Sequence, residues 1–484
     1  MGFNFKTILN VLGILLLFNG GFMFFCLPFA FYFHEEWLYI VASGLLTCFT
    51  GFILLQLFKK SNNKELKAKD GYLIVTLGWL IMAFSGTLPY ILSAGIPNFT
   101  DAFFETISGY TTTGASILND IEALPKALLF WRSLTQWIGG MGIIVLAVAI
   151  LPLLGIGGMQ LFIAESPGIR PDKMKPRIKD TAKRLWLIYL ILTMIECVLL
   201  VFGGMSFFDA INHSLTTMAT GGFSTKQASV AYWDSPYIHY VITVFMFLAG
   251  TNFTITYFGI KGKFDKVREN EEFRNYALLV LIATVFVAFF IFIESLYGVE
   301  GSFRYAIFQV VSIITTTGYA TADYTIWTPG LTILFFLLMF IGGSAGSTAG
   351  GIKIIRHTML LKNSLLELKR QLHPAAVLPV RVNHKAVSPD ITYNVLAFIM
   401  IYITIFCLGV IVFSMTGEDF DTSVGAVATS LGNIGPGLGT VGPAGTFAHI
   451  HPFGKWWLGM IMLMGRLELF TVLMLLSPSF WKRY

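Results

Sequence analysis

A short stretch in which threonines precede a glycine, residues 313–323, recurs three more times along the chain in degraded form. Counted from residues 111, 219, 315 and 432, the fourth residue of each copy is a glycine, at Gly114, Gly222, Gly318 and Gly435. Because glycine alone reaches positive φ without a Cβ clash, it lets consecutive carbonyl groups point toward one axis. Four such loops around an axis would form a ring of oxygens able to replace the water around a dehydrated cation.

Each glycine is preceded by an apolar segment too short to cross a bilayer, which needs about 20 helical residues. The first segment opens at Asp101, and the others span 207–218, 303–314 and 421–431. Such a segment must enter the membrane and return on the same side. Since lipid excludes unpaired backbone, the loops that follow must be buried in protein or line a water-filled cavity. Each short helix would direct its carbonyl end, with its partial negative charge, toward the centre.

Longer apolar runs flank these segments and are expected to be membrane spans. They cover residues 7–31, 37–58, 71–92, 129–154, 185–203, 237–259, 276–296, 392–415 and 455–477, with one more beginning near Leu331. The pattern predicts an all-α polytopic membrane protein with four M1-P-M2 pore repeats in pseudo-fourfold symmetry and two leading transmembrane helices. The expected units are a leader, 1–69, pore repeats at 70–168 and 169–270, a third repeat with a gating loop and cytoplasmic segment, 271–385, and a fourth repeat, 386–484.

Composition agrees with a membrane protein, since 55% of the residues are hydrophobic and only 12% are charged. The four cysteines lie within apolar runs and are expected to be small buried hydrophobes. Basic residues gather in the loops between repeats, so the net charge of +6 indicates topology and not nucleic-acid binding. The positive-inside rule predicts a multi-pass membrane protein with both termini in the cytoplasm.

The four loops supply the candidate cation ligands, through backbone carbonyls and threonine hydroxyls. Any one copy alone would be an ordinary turn between helices, and only four in register favour a selectivity filter. The fourth copy has no threonine, so it is expected to coordinate less well and to make the filter less discriminating. The candidate ligands are Thr112, Thr113, Gly114, Thr220, Gly221, Gly222, Thr316, Thr317, Gly318, Asn433, Ile434 and Gly435.

A run of small residues interrupts the inner half of the span that begins near Leu331, and glycines there weaken a helix by about 1 kcal/mol each. This gate segment is a candidate intramembrane gate, and the alternative is that small residues only allow close helix packing. It comprises Gly342, Gly343, Ser344, Ala345, Gly346, Ser347, Thr348, Ala349, Gly350 and Gly351.

Arg466 lies near the middle of the last predicted span, where a charge must face protein or water. In the pore below the filter, it would repel a cation and set a barrier that movement of the gate segment could lower. The alternative is a structural ion pair with Glu196 or Glu468. Glu468 is the poorer partner, because residues two apart lie on different helix faces.

Two enzyme-like patterns overlap the gate segment. Residues 342–346 spell G-x-S-x-G, but no strand precedes them and no histidine lies in the middle of an apolar span to act as a base. Residues 346–353 match a phosphate-binding loop only loosely. The chain is therefore not expected to be an enzyme, and an intramembrane hydrolase using Ser344 is a remote alternative.

The four loops, together with residues 137–142, 342–351 and 463–468, resemble the TrkH/KtrB potassium-uptake family of the Trk/Ktr/HKT superfamily. The two leading spans are similar to its TrkH branch. The resemblance implies that the four loop glycines select K⁺, which is the transported ion, and that the chain needs no organic cofactor. It also implies a homodimer, surrounded by membrane lipid, bound to a cytosolic nucleotide-sensing ring of the TrkA type.

The predicted function is therefore potassium uptake across the bacterial inner membrane through a carbonyl-lined filter, controlled by the gate segment and Arg466. A K⁺ symporter driven by Na⁺ or H⁺ would need the same filter and remains open as the alternative. Residues 360–369 have helical spacing and could dock the cytosolic partner or lie in the membrane interface.

Overall fold

The two leading helices pack against each other through glycines. In the computed structural model, which describes residues 3–58, 68–142, 178–374, 376 and 378–482, α1 spans Phe5–Met23 and α3 spans Leu38–Leu57. A 3₁₀ turn, Phe24–Cys26, and α2, Leu27–Tyr32, continue α1. A Cβ on Gly13 would lie 2.9 Å from the carbonyl oxygen of Gly51, so the two backbones approach as closely as small residues allow.

The first unit contains α4, Ala68–Gly86, and α5, Leu88–Leu92, followed by the half-length helix α6, Phe99–Tyr110. Asn98 caps α6 by accepting hydrogen bonds from the amides of Thr100 and Asp101. After loop 1, residues 111–114, α7 spans Lys126–Trp137 and passes into a π-helical turn, Ile138–Gly142. The remainder of the predicted span 129–154 lies outside the described residues.

The other three units contain the same kinds of element. Each has a half-length helix followed by a loop: loop 2, residues 219–222, loop 3, residues 315–318, and loop 4, residues 432–435. The second unit has α8, Ile178–Phe202, α9, Phe207–Met218, α10, Pro236–Ala249, α11, Phe253–Ile260, and α12, Phe264–Glu269. The third has α13, Glu271–Ile293, α14, Val299–Ile314, α15, Pro329–Leu338, and α16, Ile354–Leu372, then a small hairpin of β1, Arg381–Val382, and β2, Lys385–Ala386. The fourth has α17, Pro389–Ser414, α18, Phe420–Gly432, α19, Pro452–Arg466, α20, Phe470–Leu476, and α21, Pro478–Trp481.

Two of the predicted spans are each divided into two helices at a sharp bend, which the sequence analysis did not predict. Residues 237–259 form α10 and α11, which meet at 114°, and residues 455–477 form α19 and α20, which meet at 119°. At the first break the side chain of Asn252 caps α11, and at the second Glu468 and Leu469 have positive φ. Arg466 therefore ends a helix at a bend, and does not lie in the middle of a straight span.

The molecule exposes many large apolar side chains and buries a set of polar side chains beside its apolar core. Six helices in the described residues are long and apolar enough to cross a membrane, or up to eight if each bent pair is one span. On α13, large side chains such as Phe286, Phe289 and Ile293 are exposed, as expected for a face toward lipid. In contrast, α6, α9, α14 and α18, with 12 to 16 residues each, are buried along most of their length and carry many buried threonines and serines.

Candidate cation-permeation site

The four loops meet in a closed ring. A Cβ added to Gly114 would overlap the carbonyl oxygen of Gly221, and one added to Gly222 would overlap that of Thr317. The same relation joins Gly318 to the carbonyl of Ile434, and a Cβ on Gly435 would lie 2.8 Å from the carbonyl oxygen of Thr113. Loop 1 thus faces loop 2, loop 2 faces loop 3, loop 3 faces loop 4, and loop 4 returns to loop 1.

All four glycines require the conformation for which glycine is suited. Their φ angles are +82° at Gly114, +75° at Gly222, +79° at Gly318 and +110° at Gly435. Any other residue would be strained at these angles, and its side chain would collide with the neighbouring loop. Both observations explain why glycine occupies the fourth position of every copy.

A second position in each loop also has positive φ, and the sequence did not reveal it. The residue two before each glycine has φ of +53° at Thr112, +54° at Thr220, +56° at Thr316 and +56° at Asn433. For a β-branched residue such as threonine this conformation is unusual and costs of order 1–3 kcal/mol, so the surroundings must impose it. The only signal in the sequence is Asn433, since asparagine tolerates the left-handed region better than threonine.

Thr112, Thr220, Thr316 and Asn433 lie at the end of the ring that the gate segment contacts, called here the inner end. Their side-chain oxygens differ in their hydrogen bonds. The Thr112 hydroxyl and the Asn433 side-chain oxygen are buried, and no protein group hydrogen-bonds to either within the described residues. The Thr316 hydroxyl accepts a hydrogen bond from the amide of Gly350 at 2.6 Å, and the Thr220 hydroxyl donates to the carbonyl of Ala219. Because buried polar atoms are normally paired, the two unpaired oxygens are free to serve as ligands.

A buried ion pair between α6 and α7 links the residues that follow loops 1 and 2. Arg132 on α7 contacts Glu105 on α6 at 2.5 Å, and both side chains are almost fully buried. Glu105 also accepts hydrogen bonds from the Ser116 hydroxyl and the Ile117 amide, just after loop 1. Arg132 donates to the carbonyl of Ser224, just after loop 2, at 2.9 Å. The pair therefore connects the outer ends of two adjacent loops, a role that the sequence analysis missed because the residues are distant in the chain.

The gate segment is not helical and lies directly against the inner face of the loops. α15 ends at Leu338, and the amide of Gly342 donates to the carbonyl of Ile352 at 2.9 Å, which folds the segment back on itself. The Gly350 amide bonds to Thr316 of loop 3, and a Cβ on Gly350 would overlap the carbonyl of Gly432 at loop 4. The segment therefore contacts the inner end of the ring on two sides.

The break between α10 and α11 holds the other end of the gate segment. The Ser344 amide donates to the carbonyl of Gly250 at 2.8 Å, and the Asn252 side-chain amide donates to the carbonyl of Ala345 at 2.6 Å. Glu272, at the start of α13, accepts a hydrogen bond from the amide of Ala345 at 2.7 Å. A straight helix through residues 250–252 would not present these groups.

Arg466 joins three of the four units through backbone carbonyls. Its guanidinium donates to Thr348 of the gate segment at 2.7 Å and to Gly139 and Gly140 of the π-helical turn at 2.7 and 2.8 Å. Glu468, considered above as its ion-pair partner, forms an ion pair with Arg356 at 2.5 Å. Arg466 thus places a positive charge beside the gate segment.

Comparisons with known proteins agree with this architecture. The sequence model of the TrkH family, described as cation transport protein, matches residues 39–483. The Trk system potassium uptake protein TrkH of Salmonella typhimurium is 44% identical over 424 residues, covering 86% of this chain and 87% of that protein. The protein of the same name from Escherichia coli strain K12 is 44% identical over 428 residues, with the same coverage. The crystal structure of the potassium transporter TrkH from Vibrio parahaemolyticus superposes with a TM-score of 0.88 at 39% identity, covering 99% of this chain and 100% of that one.

Proposed function

The chain belongs to the TrkH family of cation transport proteins, and from this premise we propose that it takes up potassium across a bacterial inner membrane. The observation that carries the proposal is the closed ring of four glycine loops, each touching the next. A ring of carbonyl oxygens at membrane depth can replace the hydration shell of a K⁺ ion without any covalent chemistry.

The proposed filter consists of the twelve loop residues named from the sequence. Their carbonyls, with the unpaired side-chain oxygens of Thr112 and Asn433, would coordinate the ion. Loop 4 offers Asn433 and Ile434 where loops 1 and 3 offer threonines, so the ring is chemically asymmetric. We expect it to discriminate K⁺ from Na⁺ less strictly than a ring of four identical loops.

The proposed gate consists of residues 342–351 and Arg466. The segment lies against the inner end of the ring, where it would block the path of a cation. Arg466 holds the segment through the carbonyl of Thr348 and adds a positive charge that opposes cation passage. Opening would require the segment to move away from Thr316 and from Arg466 together.

The proposed assembly is a homodimer, embedded in lipid and bound on its cytoplasmic side to a nucleotide-sensing ring like TrkA. The support for a Trk partner is that the relatives are named as parts of a Trk system. Both termini and the basic loops between units are proposed to face the cytoplasm, as the positive-inside rule predicts. In this orientation, the gate segment lies on the cytoplasmic side of the filter, which is the side that the regulatory ring would bind.

A channel and an ion-coupled symporter can be separated by flux measurements. Purified protein in liposomes should take up radioactive rubidium, a K⁺ substitute, as far as the K⁺ gradient drives it, whatever the Na⁺ or H⁺ gradient. Accumulation that follows an imposed Na⁺ or H⁺ gradient would instead establish symport. No uptake above protein-free liposomes would contradict the proposed function itself.

A hydrolase using Ser344 is not supported. The chain belongs to a family of transport proteins and is not an enzyme. In addition, the Ser344 hydroxyl is buried and has no hydrogen-bond partner among the described residues, whereas a nucleophilic serine needs an adjacent base.

A further inference from the structure

Loop 2 lacks a pair of hydroxyl groups that loops 1 and 3 contain. In loop 1 the hydroxyls of Thr111 and Thr113 hydrogen-bond to each other at 2.8 Å, and in loop 3 those of Thr315 and Thr317 do so at 2.8 Å. The corresponding residues of loop 2 are Ala219 and Gly221. Without another group in that space, the backbone before Gly222 would have no side-chain support.

Gln136, near the end of α7, occupies this space. Its side chain is fully buried, and its amide nitrogen donates to the carbonyl of Gly221 at 2.6 Å. Its amide oxygen accepts from the backbone amide of Phe223 at 3.0 Å. The two bonds hold the peptide groups on both sides of Gly222, which has φ of +75°. A single side chain therefore fixes the conformation of the glycine between them.

The same side chain explains why residue 221 is a glycine. A Cβ added to Gly221 would meet three atoms of the Gln136 amide group, at distances that no real side chain shows. At the equivalent position the other three loops have Thr113, Thr317 and Ile434. Loop 2 thus replaces a side chain of its own by one from the preceding unit.

The carbonyl of Gly221 differs in its hydrogen bonding from the equivalent carbonyls of the other three loops. The carbonyls of Thr113, Thr317 and Ile434 accept no side-chain hydrogen bond from any residue that the structure describes, whereas that of Gly221 accepts one from Gln136. A carbonyl oxygen has two lone pairs, so one remains for an ion. The hydrogen bond restricts how far this oxygen can move toward a smaller ion such as Na⁺.

α7 also holds the residue that follows. Arg132, one turn before Gln136, donates to the carbonyl of Ser224, and its guanidinium lies 3.6 Å from the ring centre of Phe223. Residues 221, 223 and 224 are thus held by two side chains from one face of one helix.

We propose that Gln136 is a positioning residue that determines the ion selectivity of the ring, by standing in for the missing hydroxyl pair of loop 2. This inference rests on the proposed potassium uptake. The Gly221 carbonyl faces Gly114, so Gln136 acts at the contact between loops 1 and 2. Selectivity is the property to measure, since a side chain that only stabilised the fold would not change the ratio of two ions.

The first test removes the hydrogen bonds and keeps the bulk. Gln136→Leu, assayed in liposomes with competing K⁺ and Na⁺, should lower the K⁺ over Na⁺ preference about tenfold, because the Gly221 carbonyl could then move toward the smaller ion. Gln309→Leu is the matched control. Gln309 is equally buried in α14, where it donates to the carbonyl of Ala322 and touches none of the four carbonyls. Both variants should lose thermal stability, and only Gln136→Leu should lose selectivity.

The second test gives loop 2 a side chain at residue 221 and then removes the side chain that Gln136 supplies in its place. Gly221→Thr should lose most transport, because the new side chain collides with Gln136. The double variant Gly221→Thr with Gln136→Ala should recover transport several-fold over Gly221→Thr alone, because the collision is removed.

Three outcomes would overturn the inference: unchanged selectivity in Gln136→Leu, an equal change in Gln309→Leu, or no recovery in the double variant. In each case the wild-type protein still takes up K⁺, so the proposed function stands. If the wild-type protein takes up no K⁺, the proposed function fails instead.

Discussion

Replacing Thr348 with valine is expected to open the gate segment without changing the filter. The Thr348 hydroxyl donates to the carbonyl of Met218 at 3.0 Å and is 3.2 Å from that of Ala249. These residues end α9 and α10, so their carbonyls lack partners within their own helices. The hydroxyl has one proton and satisfies one carbonyl at a time. Valine keeps the shape of the side chain and removes this donor.

The size of the effect follows from the burial of these groups. Thr348 and Met218 are at most 1% exposed, so the Met218 carbonyl, which loses its donor in Thr348→Val, has no water to replace it in the closed state. The Ala249 carbonyl keeps the backbone amide of Thr348 as a donor at 3.4 Å. Leaving a buried polar group unpaired costs about 1–3 kcal/mol. In an open state, water entering the pore would solvate the carbonyl, so the penalty falls on the closed state. The equilibrium should shift toward opening by about 5- to 150-fold.

The assay is rubidium uptake into liposomes by the purified protein without a cytosolic regulator. Thr348→Val should raise this basal flux by at least about fivefold, the lower end of that range. Thr348→Ser keeps the hydroxyl and is the control, with flux close to that of the wild type. Equal flux in all three proteins at equal abundance would refute the argument that this hydrogen bond holds the segment closed.

Three further predictions follow from the same contacts. Gly318→Ser places a side chain on the carbonyl of Ile434 and should reduce K⁺ over Na⁺ preference in competition uptake, and an unchanged preference would count against the filter. Glu105→Gln leaves the buried charge of Arg132 unpaired and should destabilise the protein by about 3–5 kcal/mol, so an unaltered thermal midpoint in detergent would contradict the role of the pair. Arg466→Gln removes charged hydrogen bonds to three carbonyls and should raise regulator-free flux, whereas wild-type flux would argue against a closing role.

The half-length segments were the most predictable part of the fold. The second is predicted at residues 207–218, where α9 begins and ends, because a short apolar run before a glycine loop leaves little choice. The positive φ of the four glycines was also expected, since no other residue adopts it so readily.

The breaks in the long helices could not be predicted from hydrophobicity. Residues 237–259 are apolar on both sides of Asn252, and apolar composition reports burial or lipid contact without reporting direction. The chain bends there because the carbonyl of Gly250 and the side chain of Asn252 bond to the gate segment, nearly a hundred residues later. Such a contact depends on the tertiary fold and leaves no local pattern.

The supports of the ring were missed for a related reason. Gln136 and Arg132 occur in a helix whose sequence resembles any buried helix end, and Glu105 is one acidic residue in a short apolar segment. Their meaning comes from pairing with loops of a different unit. The positive φ of Thr112, Thr220 and Thr316 could not be predicted, because β-branched residues ordinarily avoid positive φ. Contacts within the ring impose this conformation against the preference of the residue.

The head-to-tail ring has a consequence for how the protein is made. Loop 1 leaves the ribosome first, yet one of its two neighbours is loop 4, near the end of the chain. Until translation is nearly complete, the polar backbone of loop 1 lacks loop 4 as a neighbour in the bilayer, and lipid cannot form the missing contacts. A polypeptide that ends before loop 4 would therefore leave polar backbone of loop 1 exposed inside the membrane, where an unpaired group costs several kcal/mol.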